Sequence, residues 1–373
     1  MPRNPAHAML ASPNHDEAAR QQYTLSLKDF VRDQVRSRNE ELYQKRGLPR
    51  FLKQHGREPD SPQEIGTVMW DDPAYQMFSG LHRNGQEMMW DAVADTLYRE
   101  RDALSGKYRT LSDPAKRKGS LELDPNFNMP PGMAKVDIHL QPGGYCVDYG
   151  DDDVLAGAFY EYGGNMYTMG RGVGQAESKG EVGVRFIQDR YPDFTPTRVL
   201  DIGCSAGSST VPYVTAYPDA DVHGVDIGAA ILRYAHARAE AMGKGVHYHQ
   251  CDAQDLGFED GSFDLVTSHN SMHEFPQDTT ERMMQESFRL LKPGGVAMHM
   301  DVNLRFDEYD PWMKFHRGWD QINNNEPYWR VYATNKPAEL LRKAGFPEET
   351  CWQGKFQQLD KSIHWFISTA RKA

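Results

Sequence analysis

The stretch RVLDIGCSAGSST, residues 198–210, holds residue types at a spacing that suits ligand binding by the main chain. Val199 to Ile202 read as a buried strand with Asp201 near its end. Gly203 and Gly207 form a turn that lets backbone N–H groups approach a ligand, and Ser208 or Ser209 can open the next helix. On spacing alone this is a nucleotide-type site. The glycines do not fit the G-x-G-x-x-G pattern of dinucleotide enzymes, which sets nicotinamide chemistry aside. Asp226 closes the next apolar run, DVHGVDI, 25 residues after Asp201. That is near the separation at which a β-α-β unit puts a carboxylate on ribose hydroxyls.

Asp201-x-Gly203-x-Ser205-x-Gly207 resembles motif I of the class I S-adenosylmethionine-dependent methyltransferases, with Ser205 where the middle glycine usually stands. The landmarks of that family follow in order: Asp226, then Asp252 with Ala253 in CDAQDL, then FEDGSFDLVTSHNSMHEF, then LLKPGG. The wording is most similar to the ubiquinone/menaquinone-biosynthesis-like group of small-molecule methyltransferases, over about residues 180–305 plus the terminal strand. The resemblance implies an α/β fold, a Rossmann-like seven-stranded, mostly parallel sheet with helices on both faces. It implies S-adenosylmethionine as cofactor, with S-adenosylhomocysteine as product. Around the cofactor it puts Asp201, Gly203, Cys204, Ser205, Gly207, Asp226, Ile227, Asp252, Ala253 and His269.

Methyl transfer from a sulfonium is an in-line displacement, so a protein supplies proximity, orientation and a dry cavity, and a base only where the acceptor has a proton to lose. The acceptor is expected over the ends of the fourth and fifth strands, where the chain offers Ser268, His269, Asn270, His273, Glu274, His299 and Asp301. His273 beside Glu274 is the leading catalytic pair, with His269 as a third candidate. His273 can equally serve by bonding a backbone group at a helix start, and His299 by packing inside its strand. Ser268-His269-Asn270-Ser271 replaces the Asn/Asp-Pro-Pro-aromatic sequence of DNA- and glutamine-methylating enzymes, so those substrates are not expected. Strand four ends in Ser and His, without the carboxylate cluster that holds magnesium in catechol-type enzymes, so no metal is expected. The acceptor contacts expected are Tyr167, Asn270, His273, Asp301, Trp312, His316 and Trp319, for a small molecule.

These residues need elements to hold them. From Arg198 onward strand-like runs alternate with helix-like segments, the pattern of a parallel sheet whose ligands sit at the carboxyl ends of its strands. The methyltransferase domain is expected over 184–373, interrupted at 303–335 by an aromatic insertion that occupies the position of a lid. Residues 142–183 alternate glycines with tyrosines and form a connecting segment over the site. Residues 16–141 are expected to be mainly helical, a cap or a dimerisation region for a possible homodimer: Tyr23, Leu27, Val31, Val35 and Leu42 fall at helical spacing, and Asp71-Asp72-Pro73 starts a helix continued by Met77, Leu81, Met89, Val93 and Leu97. Residues 1–15 read as a flexible tail.

Of 373 residues, 39% are hydrophobic and 25% charged, the usage of an ordinary folded protein. A formal net charge of −11 argues against nucleic acid as a partner. No apolar run suits a signal peptide or a membrane span, so a cytoplasmic location and no membrane are expected. Cys146, Cys204, Cys251 and Cys351 form no C-x-x-C pair, which leaves no zinc or disulfide framework. The reading against which methyl transfer must be weighed is a domain that binds the cofactor but acts as a scaffold.

Overall fold

The computed structural model describes residues 7–167 and 178–373. Gly170, Gly172 and Gly174 of the glycine- and tyrosine-rich segment lie outside the described residues.

The strands are β1 (Ser120–Glu122), β2 (Arg198–Ile202), β3 (Asp221–Asp226), β4 (His247–Gln250), β5 (Phe263–His269), β6 (Leu291–Val302), β7 (Trp352–Gln357) and β8 (His364–Arg371). They form one eight-stranded sheet in the order β1-β4-β3-β2-β5-β6-β8-β7. All neighbours from β1 to β6 run parallel, and β8 lies antiparallel between β6 and β7. In β2, successive side chains point to opposite faces. Val199 therefore packs with Val182 and Ile187 of the helix Lys179–Arg190, whereas Leu200 and Ile202 pack with Met283, Met284 and Leu290 of the helix Gln277–Leu290. Burial on both faces is why the strand reads as a continuous apolar run.

The sheet has eight strands, one more than the seven expected. The extra strand, β1, belongs to the region before the alternating pattern and adds to the edge beside β4, pairing Leu121 with Tyr248. Gly119 precedes it because any side chain there would run into the Val246 carbonyl. Three residues are too few to show a period, so the strand leaves no trace in the hydrophobic pattern.

Helices dominate residues 15–111. The helix His15–Phe30 opens with a capping box in which Asn14 and Glu17 satisfy each other's main-chain N–H. The 39-residue helix Pro73–Leu111 starts where Asp72 accepts the N–H of Ala74 at 2.9 Å. Met89, Val93 and Leu97, four residues apart, are fully buried along it, while Met77 is 53% exposed and outside the stripe expected of it. Arg99 reaches Glu17 at 2.7 and 2.8 Å and ties the two helices together. Among the described residues no helix is long and apolar enough to cross a membrane.

Candidate active site

The strand order reverses between β2 and β5, and a crevice opens at the carboxyl ends of the strands there, as the geometry of open α/β sheets requires. A cavity of about 650 Å³ occupies it. The ends of β2, β3 and β4 supply Gly203, Ser205, Asp226, Ile227, Asp252 and Ala253 to its wall, and the segment after β5 supplies Asn270, His273 and Glu274.

The turn after β2 is shaped by positive backbone angles at Gly203 (φ 69°), Ser205 (φ 49°) and Gly207 (φ 73°). A Cβ on Gly203 would sit 2.5 Å from Ser271 Oγ, so the glycine is required by the turn after β5 that presses on it. The N–H groups of Gly203 and Cys204 both donate to the Val225 carbonyl, at 2.9 and 3.0 Å, and that of Ser205 donates to Asp226 Oδ2 at 2.9 Å. Asp226 Oδ1 accepts from Gly228 N–H at 3.1 Å. These bonds stitch β2 to β3 and present the Asp226 carboxylate to the cavity. Ser205 Oγ and Asn270 Oδ1 are buried without a hydrogen-bond partner among the described residues, and both residues line the cavity. Such polar atoms fit a polar ligand between them.

Four ionisable side chains, His139, His273, Glu274 and Glu326, meet farther along the cavity, with Asp301 and Tyr145 against them. His273 Nδ1 lies 2.6 Å from Asp301 Oδ1, and its other ring nitrogen lies 3.4 Å from Glu274 Oε1. His139 Nε2 lies 3.2 Å from the same Glu274 oxygen, and His139 Nδ1 lies 2.7 Å from Glu326 Oε1. Tyr145 donates its hydroxyl to Glu274 Oε1 at 3.3 Å. Burial opposes charge on His139, but Glu326 and Glu274 overcome it and lift the imidazole well above its usual pKa. For His273 burial is likewise outweighed, by Asp301 and Glu274. Glu274 is lowered, because the attraction of the two imidazoles exceeds its desolvation. Glu326 is raised, chiefly by burial. His139 itself sits at φ 55°, and its carbonyl accepts from Trp90 Nε1 at 2.7 Å and Gln86 Nε2 at 3.3 Å. The long N-terminal helix thus holds the backbone in a conformation that costs about 1–3 kcal/mol.

Several expected site residues stand elsewhere. Asp201 is fully buried behind the turn, where Oδ2 accepts from Ser209 and Thr210 at 3.0 and 2.6 Å and Oδ1 faces His269 Nδ1 at 3.2 Å. It therefore braces the turn after β2 from behind. Cys204 points into the core with Tyr213 and Tyr248, and Gly207 leaves room for the Tyr248 ring, so neither lines the cavity. His269 reaches the wall but is held between Asp201 and the Tyr213 hydroxyl, 3.1 Å away. Asp301 is fully buried and meets the cavity wall through His273 and the main-chain N–H of Val302. His299 is enclosed between Ser268 and Ser287.

The aromatic insertion divides. In the helix Pro311–Arg317, Trp312 and Phe315 share one face and pack on N-terminal residues; Trp312 stacks on Tyr43 at 4.7 Å and His316 stacks on Trp312. Trp319 packs against Phe78 and donates its indole N–H to Ser79 Oγ at 2.9 Å. Trp312, His316 and Trp319, expected as acceptor contacts, thus anchor the insertion to the N-terminal helices and do not line the cavity. Its later residues Glu326, Tyr328 and Trp329 do, with Trp329 edge-on to His273 at 5.7 Å. Tyr167 also lines the cavity and accepts from Asn324 at 3.0 Å. His139, Tyr145 and Glu326 were missed by the sequence reading. The one signal available was their place in segments expected to lie over or before the site.

A family model described as a methyltransferase domain matches residues 199–295. A demethylmenaquinone methyltransferase of Thermus thermophilus is 35% identical over 100 residues, 27% of this chain and 44% of that protein. A fatty-acid O-methyltransferase of Mycolicibacterium smegmatis is 30% identical over 115 residues, 31% of this chain and 40% of that protein. The chain spans less than half the length of the curated relatives it matches. A solved structure of Haemonchus contortus phosphoethanolamine N-methyltransferase 2 in complex with S-adenosyl-L-methionine superposes with a TM-score of 0.42 at 20% identity, covering 58% of this chain and 59% of that one. By this match residues 199–295 are a methyltransferase domain. The domain fills the middle of the chain, and the residues on either side of it complete the cavity.

Proposed function

We propose that this protein transfers a methyl group from S-adenosylmethionine to a small-molecule acceptor held between the end of β5, the His139 segment and the end of the aromatic insertion. The observation that carries the reading is a single cavity that joins the Asp226 turn to the His273–Glu274 turn.

S-adenosylmethionine supplies an activated methyl on a sulfonium, which an acceptor displaces in line. Asp226, with both oxygens already oriented by main-chain N–H groups, offers lone pairs to ribose hydroxyls. Asp252 and Ala253, after β4, are assigned to the adenine end. Asn270 and Ser205 bring their unpartnered oxygens to the same ligand. On the acceptor side Trp329, Tyr145 and Tyr167 enclose apolar surface, and His273 and Glu274 receive the polar atom that is methylated. Rings on three separate segments exclude water, which keeps the displacement from competing with hydrolysis. The lining of rings with a few polar groups suits a molecule of metabolite size.

The test is twofold. Calorimetry is expected to show S-adenosylmethionine binding and no NAD binding, and fractionated extract is expected to elicit S-adenosylhomocysteine release from one small-molecule fraction. Tight binding with no release from any fraction would leave a scaffold and overturn the catalytic reading.

A further inference from the structure

His139, His273, Glu274 and Glu326 each offer one ligand atom, and those atoms all lie within 4.8 Å of one another. Around a divalent ion with bonds of about 2.0–2.2 Å, ligand atoms stand about 3–4.4 Å apart, so contraction by a few tenths of an ångström closes the shell. The four come from three parts of the chain: the segment before the sheet, the turn after β5 and the end of the insertion.

Two further observations point to a ligand at this cluster. Glu274 and Glu326 are 6% and 1% exposed and line the cavity, yet the second carboxylate oxygen of each has no hydrogen-bond partner among the described residues. A buried carboxylate oxygen without a partner is costly unless a cation or donor completes it. The outer nitrogen of His273 is held by Asp301 at 2.6 Å, which turns Nε2 toward the cluster. A carboxylate on the far nitrogen is the arrangement that orients metal-binding histidines. Ion pairing within the quartet accounts for the inner oxygens and leaves the outer two unexplained.

We propose that His139, His273, Glu274 and Glu326 bind one divalent first-row transition cation, and that the methyl acceptor presents an ionisable oxygen to it. Two imidazoles with two carboxylates suit ions such as zinc, manganese, iron or cobalt better than magnesium, which prefers oxygen ligands and water. The second half of the proposal rests on the methyltransferase reading. An acceptor hydroxyl bound to the cation loses its proton to water more readily. Its oxygen lone pair then forms the O–CH3 bond as the S–CH3 bond breaks, and the bonding pair stays on sulfur as neutral S-adenosylhomocysteine. The cation keeps its charge and no redox partner takes part.

The test uses the full chain, stripped with a chelator and titrated with Co2+. One Co2+ per chain with visible d–d absorption is expected, displaced by Zn2+ and unaffected by Mg2+. Glu326→Gln and His139→Asn are expected to weaken binding at least about 10-fold, and Asp301→Asn about 10–100-fold. Calorimetry with S-adenosylmethionine should be unchanged in all three. If a variant fails to fold, paramagnetic NMR of the unaltered Co2+ protein is expected to show two shifted imidazole N–H signals. No Co2+ uptake, uptake indifferent to the substitutions, or a signal count other than two overturns the metal site. Normal S-adenosylmethionine binding beside absent Co2+ uptake sinks the metal alone. Normal Co2+ uptake beside absent S-adenosylmethionine binding sinks the methyltransferase reading and the acceptor assignment with it.

Discussion

Asp301 accepts two bonds from His273, one from the ring at 2.6 Å and one from its main-chain N–H at 3.2 Å, so the end of β6 fixes an imidazole carried by the turn after β5. The strands are register neighbours, with His269 opposite Met300, which places Asp301 one residue and His273 four residues beyond the last pair of the ladder. Asp301→Asn preserves volume and removes the charge that orients the ring. Turnover is expected to fall about 100-fold or more, with S-adenosylmethionine affinity unchanged, in a S-adenosylhomocysteine release assay paired with calorimetry. Equal losses in both readouts would mean that Asp301 serves the fold as a whole.

Trp319 and Trp329 separate anchoring from acceptor contact. Trp319 is 6% exposed and packs on the N-terminal helices, so Trp319→Ala is expected to lower stability by about 3–5 kcal/mol in denaturant while the folded fraction keeps its KM. Trp329 touches the cavity and the His273 ring, so Trp329→Ala is expected to raise the acceptor KM about tenfold, as loss of about 1–1.5 kcal/mol of aromatic contact would. The reverse pattern would relocate the acceptor toward the N-terminal helices.

Asp226→Ala removes the carboxylate that accepts from Ser205 and Gly228 N–H and faces the cavity. S-adenosylmethionine binding is expected to weaken by about 1–3 kcal/mol, the loss incurred when polar partners are left unpaired. Affinity equal to the unaltered protein would remove Asp226 from the ribose.

Glu161 lies buried beside the Arg238 guanidinium at 2.8 Å, with His7 at 3.1 Å. Burial alone would raise its pKa, but Arg238 and His7 bring it down to about 2 from the usual 4.5. A depressed folded pKa means stability that is fully present above the unfolded value and lost as pH falls from about 4.5 toward 2. Glu161→Gln is expected to cost about 3–5 kcal/mol at neutral pH by leaving Arg238 without its charge partner. The gap between the two proteins should narrow as urea midpoints are followed from pH 5 downward. A gap independent of pH would show that packing, not charge, is what Glu161 contributes.

The parallel sheet was legible because each of β2, β3, β5 and β6 is an apolar run followed by a turn or an acidic residue, and period and punctuation survive in one dimension. The position of Asp226 and His273 on the cavity was legible for the same reason, since strand ends converge on one edge of such a sheet. Asp201 shows the limit of that reading: its place in the motif was plain, but its partners Ser209, Thr210 and His269 hold it behind the cavity wall. His139 and Glu326 were hidden because their distance from His273 along the chain carries no period. The fold of the N-terminal segment and the anchoring of the insertion bring them together. Trp312 and Trp319 misled because an aromatic residue facing a helix and one facing a ligand look alike in sequence.

The three residues of β1 have a consequence out of proportion to their length. They cover the outer flank of β4, so the row of main-chain donors and acceptors along His247–Gln250 is closed by the chain's own earlier segment. Without residues before about 125, β4 becomes an open edge, a template on which another chain's strand can add. A fragment consisting of the sheet and its helices alone would therefore be prone to self-association even with every residue of the β2 turn in place. In the intact chain that flank is sealed by a partner more than a hundred residues away, a non-local pairing of the kind that slows folding. Until it forms, the nascent protein is exposed along that edge to its neighbours.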